Sequence, residues 1–406
     1  MAEQAKVPAI RFAGFTDPWE QRKASEVFQI VDDRGHPTLP VLSATQNQGM
    51  IYRDDSGRYI GHDESNEIGY KRVLPGDFVV HLRSFQGGFA HSQYEGITSP
   101  AYTVFRAKEP TSHSDRFWKH WFMSEHFIAG LSTVTYGIRD GRSISVDEFM
   151  NTFLAFPAVE EQAAISRLFD YLDDLITLHQ RKYDKLVIFK KSMLEKMFPK
   201  DGESVPEIRF AGFTDPWEQR KLGDVASSFD YGLNAAATEY DGQNKYLRIT
   251  DIDDETHEFS KSDLTTPLAD LAMSADYLLK EGDLLFARTG ASVGKTYLYR
   301  QFDGMVYFAG FLIRARIGEG ADPEFAYQAT LTDAYKKYVA ITSQRSGQPG
   351  VNAQEYADYQ LMLPSKTEQQ QIGMTLRSLD DLITLHQRKL ELLQNIKKSL
   401  LDKMFV

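Results

Sequence analysis

Residues 172–182 read LDDLITLHQRK, and the same eleven residues return unchanged at 379–389. Further along each copy, KKSMLEKMF at 190–198 matches KKSLLDKMF at 397–405. The segment between Pro157 and the end of the first copy contains neither glycine nor proline. The two copies predict two long helices, and their similarity predicts one structural unit used twice in tandem.

A second repeat precedes each half of the chain. VPAIRFAGFTDPWEQRK at 7–23 and VPEIRFAGFTDPWEQRK at 205–221 are identical at sixteen of seventeen positions. The regions between the repeats hardly resemble each other, apart from an echo such as LPGDFVVHLRS at 74–84 and KEGDLLFARTG at 280–290. Shared connectors indicate a shared role, whereas divergent middle regions indicate two different targets. We expect Trp19 and Trp217 of the connectors to be packing residues.

The repeats predict four segments along the chain. The first connector and variable domain occupy 1–155, and the first helical region occupies 156–204. The second connector and variable domain occupy 205–362, and the second helical region occupies 363–406. The aromatic residues of 117–122 share one helical face and are expected to form core.

The helical regions contain apolar residues in alternating steps of three and four, which is the pattern of a coiled-coil seam. Two connected copies related by a pseudo-dyad pack most simply antiparallel, as a rod about 57 Å long. His179 and His386 fall on the seam, where a polar pair can fix the register of the helices. The predicted seam residues are Ile165, Leu168, Leu172, Leu175, His179, Leu186, Ile372, Leu379, Leu382, His386, Leu393 and Ile396.

Composition excludes several classes of protein. The chain has 406 residues, a net charge of −11 and no cysteine, so disulfides, cysteine nucleophiles and cysteine-bound metals are ruled out. The charge argues against a generally polybasic surface but leaves room for local DNA contacts. No apolar run approaches the roughly 18 residues that span a bilayer, and the N-terminal stretch lacks a signal-peptide pattern. We therefore expect a cytoplasmic protein with no membrane partner.

Motifs for catalysis are weak. ARTGASVGKTY at 287–297 resembles a phosphate-binding loop, but three residues instead of four separate Gly290 from Gly294. A strand that ends in a glycine-rich turn is the simpler interpretation. We identify no nucleophile elbow, zinc helix or convincing carboxylate cluster for nuclease chemistry, and therefore expect no catalytic residues and no metal site. Two large domains without a catalytic set favour a binding protein.

Polar, glycine-containing loops are the best candidates for binding. Glycine lets the backbone approach a ligand closely, and arginine beside Ser, Thr or Gln suits phosphate and base contacts. The alternative is that these loops are solvated turns. The loops are SATQNQGM (43–50), HLRSFQGG (81–88), TYGIRDGRS (135–143), YLRITDID (246–253), FARTGASVGK (286–295) and TSQRSGQPGVN (342–352).

Together these features resemble a known family, the specificity (S) subunits of type I restriction-modification systems. The resemblance covers nearly the whole chain and depends on the duplicated FAGFTDPWEQRK connectors, the duplicated LDDLITLHQRK helices, and the GDLLFARTGASVGK and SGQPGVNAQEYADYQLMLP segments. It implies an α+β fold in which two α/β target recognition domains are joined by two long antiparallel, coiled-coil-like helices in a pseudo-two-fold tandem repeat.

The resemblance also implies a function. Each recognition domain would read one half of a bipartite site in double-stranded DNA, and the helices would set the spacer and bind two modification (methyltransferase) subunits. Restriction subunits would complete the complex. S-adenosylmethionine, ATP and Mg²⁺ would be bound by those partners, with no cofactor on this noncatalytic chain.

The family pattern places DNA contacts in the variable domains. The residues carried over in the first domain are Arg83, Ser84, Gln86, Arg139, Arg142 and Ser143. Those in the second are Arg248, Arg288, Thr289, Ser292, Lys295, Arg345, Gln348 and Asn352. The first domain has FQGGFAHSQ where the second has its GASVGK loop, which leaves the reading loop of the first domain open.

Two other functions stay open from the sequence. A coiled-coil scaffold with two protein-binding domains predicts partner binding without DNA selectivity. An enzyme acting alone on nucleic acid predicts methylation or cleavage by the purified chain.

Overall fold

The computed structural model describes residues 7–45, 48–57, 64–80, 89–132, 146–254 and 256–406. The chain forms two compact units, one made of residues 1–178 with 390–406 and the other of residues 179–389. Each unit thus contains one variable region and parts of both long helices.

The strands of the first half are β1 Glu20–Lys23, β2 Phe28–Val31, β3 Leu42–Thr45, β4 Gly49–Tyr52, β5 Lys71–Val73, β6 Phe78–Val80, β7 Ala90–His91, β8 Gly96–Thr98, β9 Thr103–Ala107 and β10 Phe153–Phe156. The helices are α1 Ala24–Val27, α2 Asp115–Trp121, α3 Glu125–Ser132, α4 Val146–Asn151 and α5 Val159–Met197.

The strands of the second half are β11 Glu218–Lys221, β12 Ala226–Tyr231, β13 Ala237–Glu239, β14 Lys245–Leu247, β15 Thr265–Pro267, β16 Asp283–Ala287, β17 Thr296–Leu298, β18 Val306–Phe308, β19 Leu312–Ile317 and β20 Gln360–Leu363. The helices are α6 Leu222–Val225, α7 Pro323–Ala329, α8 Asp333–Thr342, α9 Ala353–Ala357 and α10 Lys366–Met404.

The two long helices, α5 and α10, have 39 residues each. Acidic side chains lie in the first turn and a lysine lies in the last turn of each, an arrangement that the helix dipole favours. The helix α10 contains one glycine, Gly373. A Cβ atom there would lie 3.1 Å from the backbone nitrogen of Phe325, so the glycine allows α7 to pack closely against α10.

Both variable regions contain the same four-stranded antiparallel sheet. The order is β2-β9-β6-β7 in the first unit and β12-β19-β16-β17 in the second. In each unit the connector strand pairs antiparallel with the strand before the long helix, β1 with β10 and β11 with β20. The predicted mixture of helices and strands in the recognition domains is confirmed. These central sheets are antiparallel, and in the described part of the chain a parallel ladder joins β14 to β18.

The Gly-Asp pair that occurs in both variable regions, Gly76–Asp77 and Gly282–Asp283, lies in a turn in each unit. Gly76 has a φ of 92°, a backbone conformation that suits glycine, and the buried Asp77 accepts two hydrogen bonds of 2.7 Å from Arg106 on β9. In the second unit the buried Asp283 accepts bonds of 3.0 and 3.2 Å from Arg316 on β19. The motif therefore serves the fold of each sheet.

A buried ion pair joins each connector to its long helix. Arg11 donates two hydrogen bonds to Glu161, of 2.6 and 2.7 Å. Arg209 does the same to Glu368, at 2.7 and 2.8 Å. The side chains of Glu161 and Glu368 are 1% and 0% exposed, so each arginine neutralises a carboxylate that is removed from water.

The residue after each of these glutamates connects the long helix to a domain helix. Gln162 donates to the carbonyl of Pro157 at 2.8 Å and accepts from the backbone nitrogen of Ser114 at 2.9 Å. Gln369 accepts in the same way from the backbone nitrogen of Asp322, at 2.8 Å. Ser114 and Asp322 are the N-caps of α2 and α7, so one amide side chain fixes where each domain helix begins.

The cores of both units combine domain residues with residues of the long helices. The first core contains Trp19, Phe28, Phe105, Phe117, Trp118, Trp121, Phe122, Ile165, Phe169, Leu172, Leu401, Met404 and Phe405. The second contains Met197, Phe198, Trp217, Phe286, Phe325, Tyr335, Tyr356, Ile372 and Leu376. The predictions that the connector tryptophans and the aromatic residues of 117–122 are packing residues are confirmed.

The predicted seam holds where a domain covers the helix and fails elsewhere. Leu382 and Ile396 are 42% and 39% exposed, contrary to the heptad assignment. Leu376 and Leu390, which the heptad pattern omitted, are buried instead. The heptad pattern assumes one partner helix along the whole seam, whereas much of the burial near the ends comes from the domain cores.

The long helices run antiparallel within the first unit. Lys397 donates to Asp173 at 2.5 Å, and the rings of Phe169 and Phe405 are 5.6 Å apart. Moving forward along α5 from Phe169 to Asp173 therefore moves backward along α10.

The same direction is seen within the second unit. Lys190 forms an ion pair with Asp380, and the Nδ1 atoms of His179 and His386 are 2.7 Å apart. The histidines thus contact each other across the two helices. None of the helices in the described residues is long and apolar enough to cross a membrane.

Candidate nucleic-acid interface

The DNA-contact residues predicted in the first domain lie outside the described residues, so the candidate interface is built from the second unit. They are Arg83, Ser84, Gln86, Arg139, Arg142 and Ser143. The eight residues predicted in the second domain are all described.

Two of the predicted loops meet in the second unit. One follows β16, and the other joins α8 to α9. The backbone nitrogen of Gly290 donates to the carbonyl of Pro349 at 3.0 Å, and Val351 donates to the carbonyl of Arg288 at 2.9 Å. Thr289 also forms an isolated bridge with Gly350. The fold therefore brings the arginine–glycine segment together with the glutamine–glycine segment, although about 60 residues separate them.

A glycine makes this contact possible. Gly290 has a φ of 72°, and a Cβ atom on it would lie 2.8 Å from Nε2 of Gln348. A larger residue would be strained in this conformation and would displace the glutamine. Gln348 is exposed, so its amide lies over the turn and remains open to a ligand. The turn is the short 3-10 helix Gly290–Ser292, as expected for a strand that ends in a glycine-rich turn.

Two predicted residues of the second loop also have structural roles. Arg345 donates two hydrogen bonds to Glu355, of 2.5 and 2.7 Å. Asn352 is the N-cap of α9, and its side-chain oxygen accepts from the backbone nitrogen of Glu355 at 2.9 Å. In return, the backbone nitrogen of Asn352 donates to the carboxylate of Glu355 at 2.8 Å. This reciprocal capping box fixes the end of the loop.

Arg248 and Lys295 are neutralised by acidic neighbours. Arg248 donates two bonds of 2.8 Å to Asp251, and these hydrogen bonds raise the pKa of the Arg248 guanidinium. Lys295 forms an ion pair with Asp254. Asp251 and Asp254 therefore pair with two of the predicted contact residues.

Arg288 has a different environment. Its guanidinium carbon is 5.1 Å from the ring centroid of Tyr231 and 6.0 Å from that of Phe311. No ion pair of Arg288 occurs within the described ranges of the chain. Sequence reasoning selected Arg288 but missed the two aromatic residues. A usable signal was present, because each aromatic residue lies next to a glycine, in DYGLN and FAGFL.

A cleft of about 1910 Å³ also lies within the second unit, between the long helices and the variable domain. Its lining includes Val187, Lys336, Ile383 and His257. His257 has a φ of 56°, which is unusual for a residue with a side chain. Its Nδ1 atom lies 3.2 Å from the carbonyl of Thr296, and burial lowers the pKa of His257. The wall of the cleft therefore favours the neutral form of this imidazole.

In the first unit, His120, Asp170 and Asp173 present ligand-type atoms within 4.8 Å of one another. No metal-binding motif in the sequence predicts this group. Lys119 lies 3.4 and 3.2 Å from the two carboxylates, and Lys397 also donates to Asp173. Ammonium groups thus occupy the positions where a cation would bind.

The second unit matches a family model described as the type I restriction modification DNA specificity domain, over residues 214–395. This segment is thus similar to type I specificity domains. The matched segment contains the loops that meet at Gly290. The family inferred from the repeated motifs is therefore confirmed.

A relative extends the similarity beyond the specificity domain. The type I restriction enzyme MjaVIII specificity subunit of Methanocaldococcus jannaschii is 23% identical over 272 residues. The match covers 63% of this chain and 61% of the relative.

Solved structures share the fold over nearly the whole chain. The type I restriction-modification S subunit from M. genitalium superposes with a TM-score of 0.64 at 13% identity, covering 98% of this chain and 99% of that one. A chain from a study of complex assembly and conformational transition in a type I R-M system gives a TM-score of 0.50 at 16% identity, covering 95% and 97% of the two chains. At these identities the likeness concerns the fold alone.

Proposed function

We propose that this chain is the DNA-specificity subunit of a type I restriction-modification complex. Each unit reads one half of a bipartite site in double-stranded DNA. The chain itself carries out no chemistry. Modification subunits bind S-adenosylmethionine and methylate adenine, and restriction subunits use ATP and Mg²⁺.

The observation that carries this proposal is the shared construction of the two units. The family model matches the second half, and the first half has the same sheet order, the same Asp–Arg turn and the same connector ion pair. These shared features extend the DNA-reading role from the matched domain to the unmatched one. Because the variable sequences differ, we infer that the two half-sites differ.

The long helices are proposed to set the spacer between the half-sites. The ion pairs Asp173–Lys397 and Asp380–Lys190 involve corresponding residues of the two repeats, so each unit fixes the same register between the helices. An insertion of about four residues, one helical turn, after Leu178 is expected to lengthen or abolish the recognised spacer. An unchanged spacer would contradict this role.

Exposed apolar residues on the long helices support docking of the modification subunits. They lie on both helices, outside the hydrophobic core of their own unit. Exposed apolar surface of this kind is typical of interaction sites. These residues are Tyr171, Leu178, Ile188, Phe189, Met374, Leu382, Leu385, Leu392 and Ile396. Replacing Ile188 and Leu392 with Ser is expected to reduce co-purification of the modification subunit without changing the folded content of this chain.

Base-resolved methylation mapping tests the function directly. The full chain is expressed with its modification subunits in a host that lacks adenine methylation. We expect methylation at a bipartite motif with a fixed unread gap, and no methylation when this chain is omitted. An assembled, cofactor-competent complex that adds no new methylation would favour the protein-binding scaffold instead.

A domain exchange tests whether each unit reads its own half-site. Replacing residues 24–155 with the corresponding region of another specificity subunit should change one half-site and leave the other half-site and the gap intact. A change in both half-sites would show that the units do not read DNA independently.

A further inference from the structure

The cationic residues predicted to contact DNA in the second unit differ in how many of their side-chain N–H donors are free of protein partners. Arg248 directs Nε and Nη2 at the two carboxylate oxygens of Asp251. Arg345 directs Nη2 at both oxygens of Glu355 and Nη1 at the carbonyls of Thr342 and Gln344. An arginine reads guanine by directing two parallel N–H donors at O6 and N7. A guanidinium that already directs two donors at a carboxylate must break that strong, charge-assisted pair before it can read a base.

The N–H donors of the Arg288 side chain are not used by the described residues. Its side chain forms no hydrogen bond or ion pair with any of the described residues. Its Nε atom is buried without a partner, whereas Nη1 and Nη2 are not among the buried unpaired atoms. Since these terminal nitrogens have no protein partner, they reach solvent. Two unpaired donors on one planar group have the geometry needed for a base edge.

The backbone on both sides of Arg288 is fixed. Its nitrogen donates to the carbonyl of Phe311 at 3.1 Å, and its carbonyl accepts from Val351 at 2.9 Å. The Arg288 side chain therefore starts from a position set by two neighbouring segments. A fixed starting point lowers the entropy lost when a side chain binds a ligand.

Two aromatic rings hold the guanidinium itself. Tyr231 lies at the end of β12, and its hydroxyl accepts a hydrogen bond from the backbone of Ala353 at 3.2 Å. The rings of Tyr231 and Phe311 are both near the Arg288 charge, which attracts the negative faces of aromatic rings. They are nevertheless 44% and 57% exposed. This aromatic clamp, formed by Tyr231 and Phe311, thus presents a cation at the surface.

We propose that Arg288 reads a guanine in the half-site of the second unit and that the aromatic clamp holds its guanidinium in the reading orientation. This inference rests on the proposed DNA-specificity function and names one base and one residue within it. Arg288 contacts the base, whereas Tyr231 and Phe311 are positioning residues. Gln348 lies beside the same turn and is available for a neighbouring contact.

The test is methylation mapping with the full complex carrying Arg288→Lys. Lysine keeps the charge but loses the planar fork. We expect discrimination for guanine at one position of one half-site to fall by about 5- to 150-fold, which corresponds to about 1–3 kcal/mol. The other half-site and the gap should be unchanged in the same experiment, and this shows that the variant is folded and assembled.

Matched variants separate reading from positioning. Arg220→Lys, in the exposed connector strand β11 and paired with Glu218, should leave the motif unchanged. Tyr231→Leu should weaken the same guanine preference as Arg288→Lys, whereas Tyr231→Phe, which keeps the ring, should largely retain it. If Tyr231→Leu leaves the preference intact, the clamp is overturned.

Other outcomes overturn the inference in different ways. A wild-type half-site without guanine, or an unchanged motif in Arg288→Lys, excludes guanine reading by this residue. A uniform loss of DNA affinity with every base choice retained would assign Arg288 to a phosphate. In all these cases a bipartite motif still supports the specificity function, whereas its absence from the wild-type complex would overturn that function itself.

Discussion

The two units keep the same buried polar contacts and differ at the surface. At the place where a domain helix meets a long helix, the first unit uses His120, whose Nε2 atom lies 3.1 Å from Asp170. The second unit uses Gln328, which donates to Asp380 at 2.8 Å. Both side chains are fully buried. A polar link is thus retained at this joint although the residues on both helices differ, since Asp170 corresponds to Arg377 in the repeat and Asp380 corresponds to Asp173.

The difference teaches which parts of the chain the fold requires. The ion pair between the connector and the long helix is made by identical residues in both halves, as is the glutamine contact to the N-cap of the domain helix. The loops that close each sheet, by contrast, share little sequence. If the two joints are equivalent, the same substitution should have the same effect in either unit.

The largest expected effect is at the connector ion pairs. Replacing Arg11 or Arg209 with Met leaves a buried carboxylate without its partner and should cost about 3–5 kcal/mol in free energy of unfolding. Urea denaturation followed by tryptophan fluorescence measures this cost. Arg22→Met, at an exposed pair with Glu20, is the control and should cost less than about 1 kcal/mol. Unequal losses of unfolding free energy in the Arg11 and Arg209 variants would show that the two units are not equivalent at this joint.

A smaller effect is expected at the glutamines that begin the domain helices. Gln162→Leu and Gln369→Leu each leave a half-buried backbone donor without its side-chain partner and should cost about 1–3 kcal/mol. The same denaturation measurement applies. Gln370→Leu, at the exposed neighbouring position, serves as the control, and a cost as large there would show that the buried amide is not responsible.

A still smaller effect is expected where the long helices are paired by charge. Asp173→Asn and Asp380→Asn should each cost about 0.2–1 kcal/mol, because both carboxylates are partly open to water. Burial raises the pKa of Asp173, but the hydrogen bond from Lys397 and nearby cations outweigh it and hold that pKa below its ordinary value.

The sign of this pH dependence follows from the lowered pKa. The stabilising contribution of Asp173 is present above the ordinary carboxyl pKa of 3.8 and is lost as the pH falls through its value in the folded chain. Denaturation at pH 7 and near pH 3 measures it. Equal losses for Asp173→Asn and wild type on acidification would contradict the assignment.

The smallest expected effect is at the histidine pair of the second unit. Burial lowers the pKa of His179 and His386, and the charges of Lys182 and Lys389 lower them further. One neutral ring donates from Nδ1 and the other accepts, so the hydrogen bond is lost when both rings are protonated. Stability should therefore be full above about pH 6.5 and decline as the pH falls toward the folded-state pKa values.

NMR titration of the two imidazoles measures this pair directly. Both should titrate below the ordinary pKa of 6.5. The double variant His179→Leu/His386→Leu should lose the corresponding part of the pH dependence of unfolding. Imidazoles that titrate at or above the ordinary value would show that the pair does not form in solution.

Much of the fold follows from repetition in the sequence. The long helices, the buried connector tryptophans and the aromatic core at 117–122 are set by local patterns of apolar residues, which sequence displays directly. The seam was less predictable, since Leu382 satisfies the heptad pattern and yet is exposed. Its burial depends on what lies opposite, and a one-dimensional pattern does not contain that information.

The candidate interface was predictable only in part. The loops around Arg288 and Gln348 were identified from their composition, but not the acidic partners of Arg248 and Arg345. Glu355 lies ten residues from the arginine that it neutralises, and Tyr231 is brought to Arg288 by strand pairing. Which cation is free is therefore a property of the folded chain and not of its charge pattern.

One consequence concerns the order in which the chain is made. The core of the first unit includes Met404 and Phe405, which leave the ribosome after every residue of the second unit. Domains usually complete their folding from the N-terminus onward, but here the unit that begins first must wait for the later one. A nascent chain that stalls before residue 390 would lack every residue that the end of the chain supplies to the core of the first unit. Quality-control factors would therefore meet the N-terminal half exposed for longest.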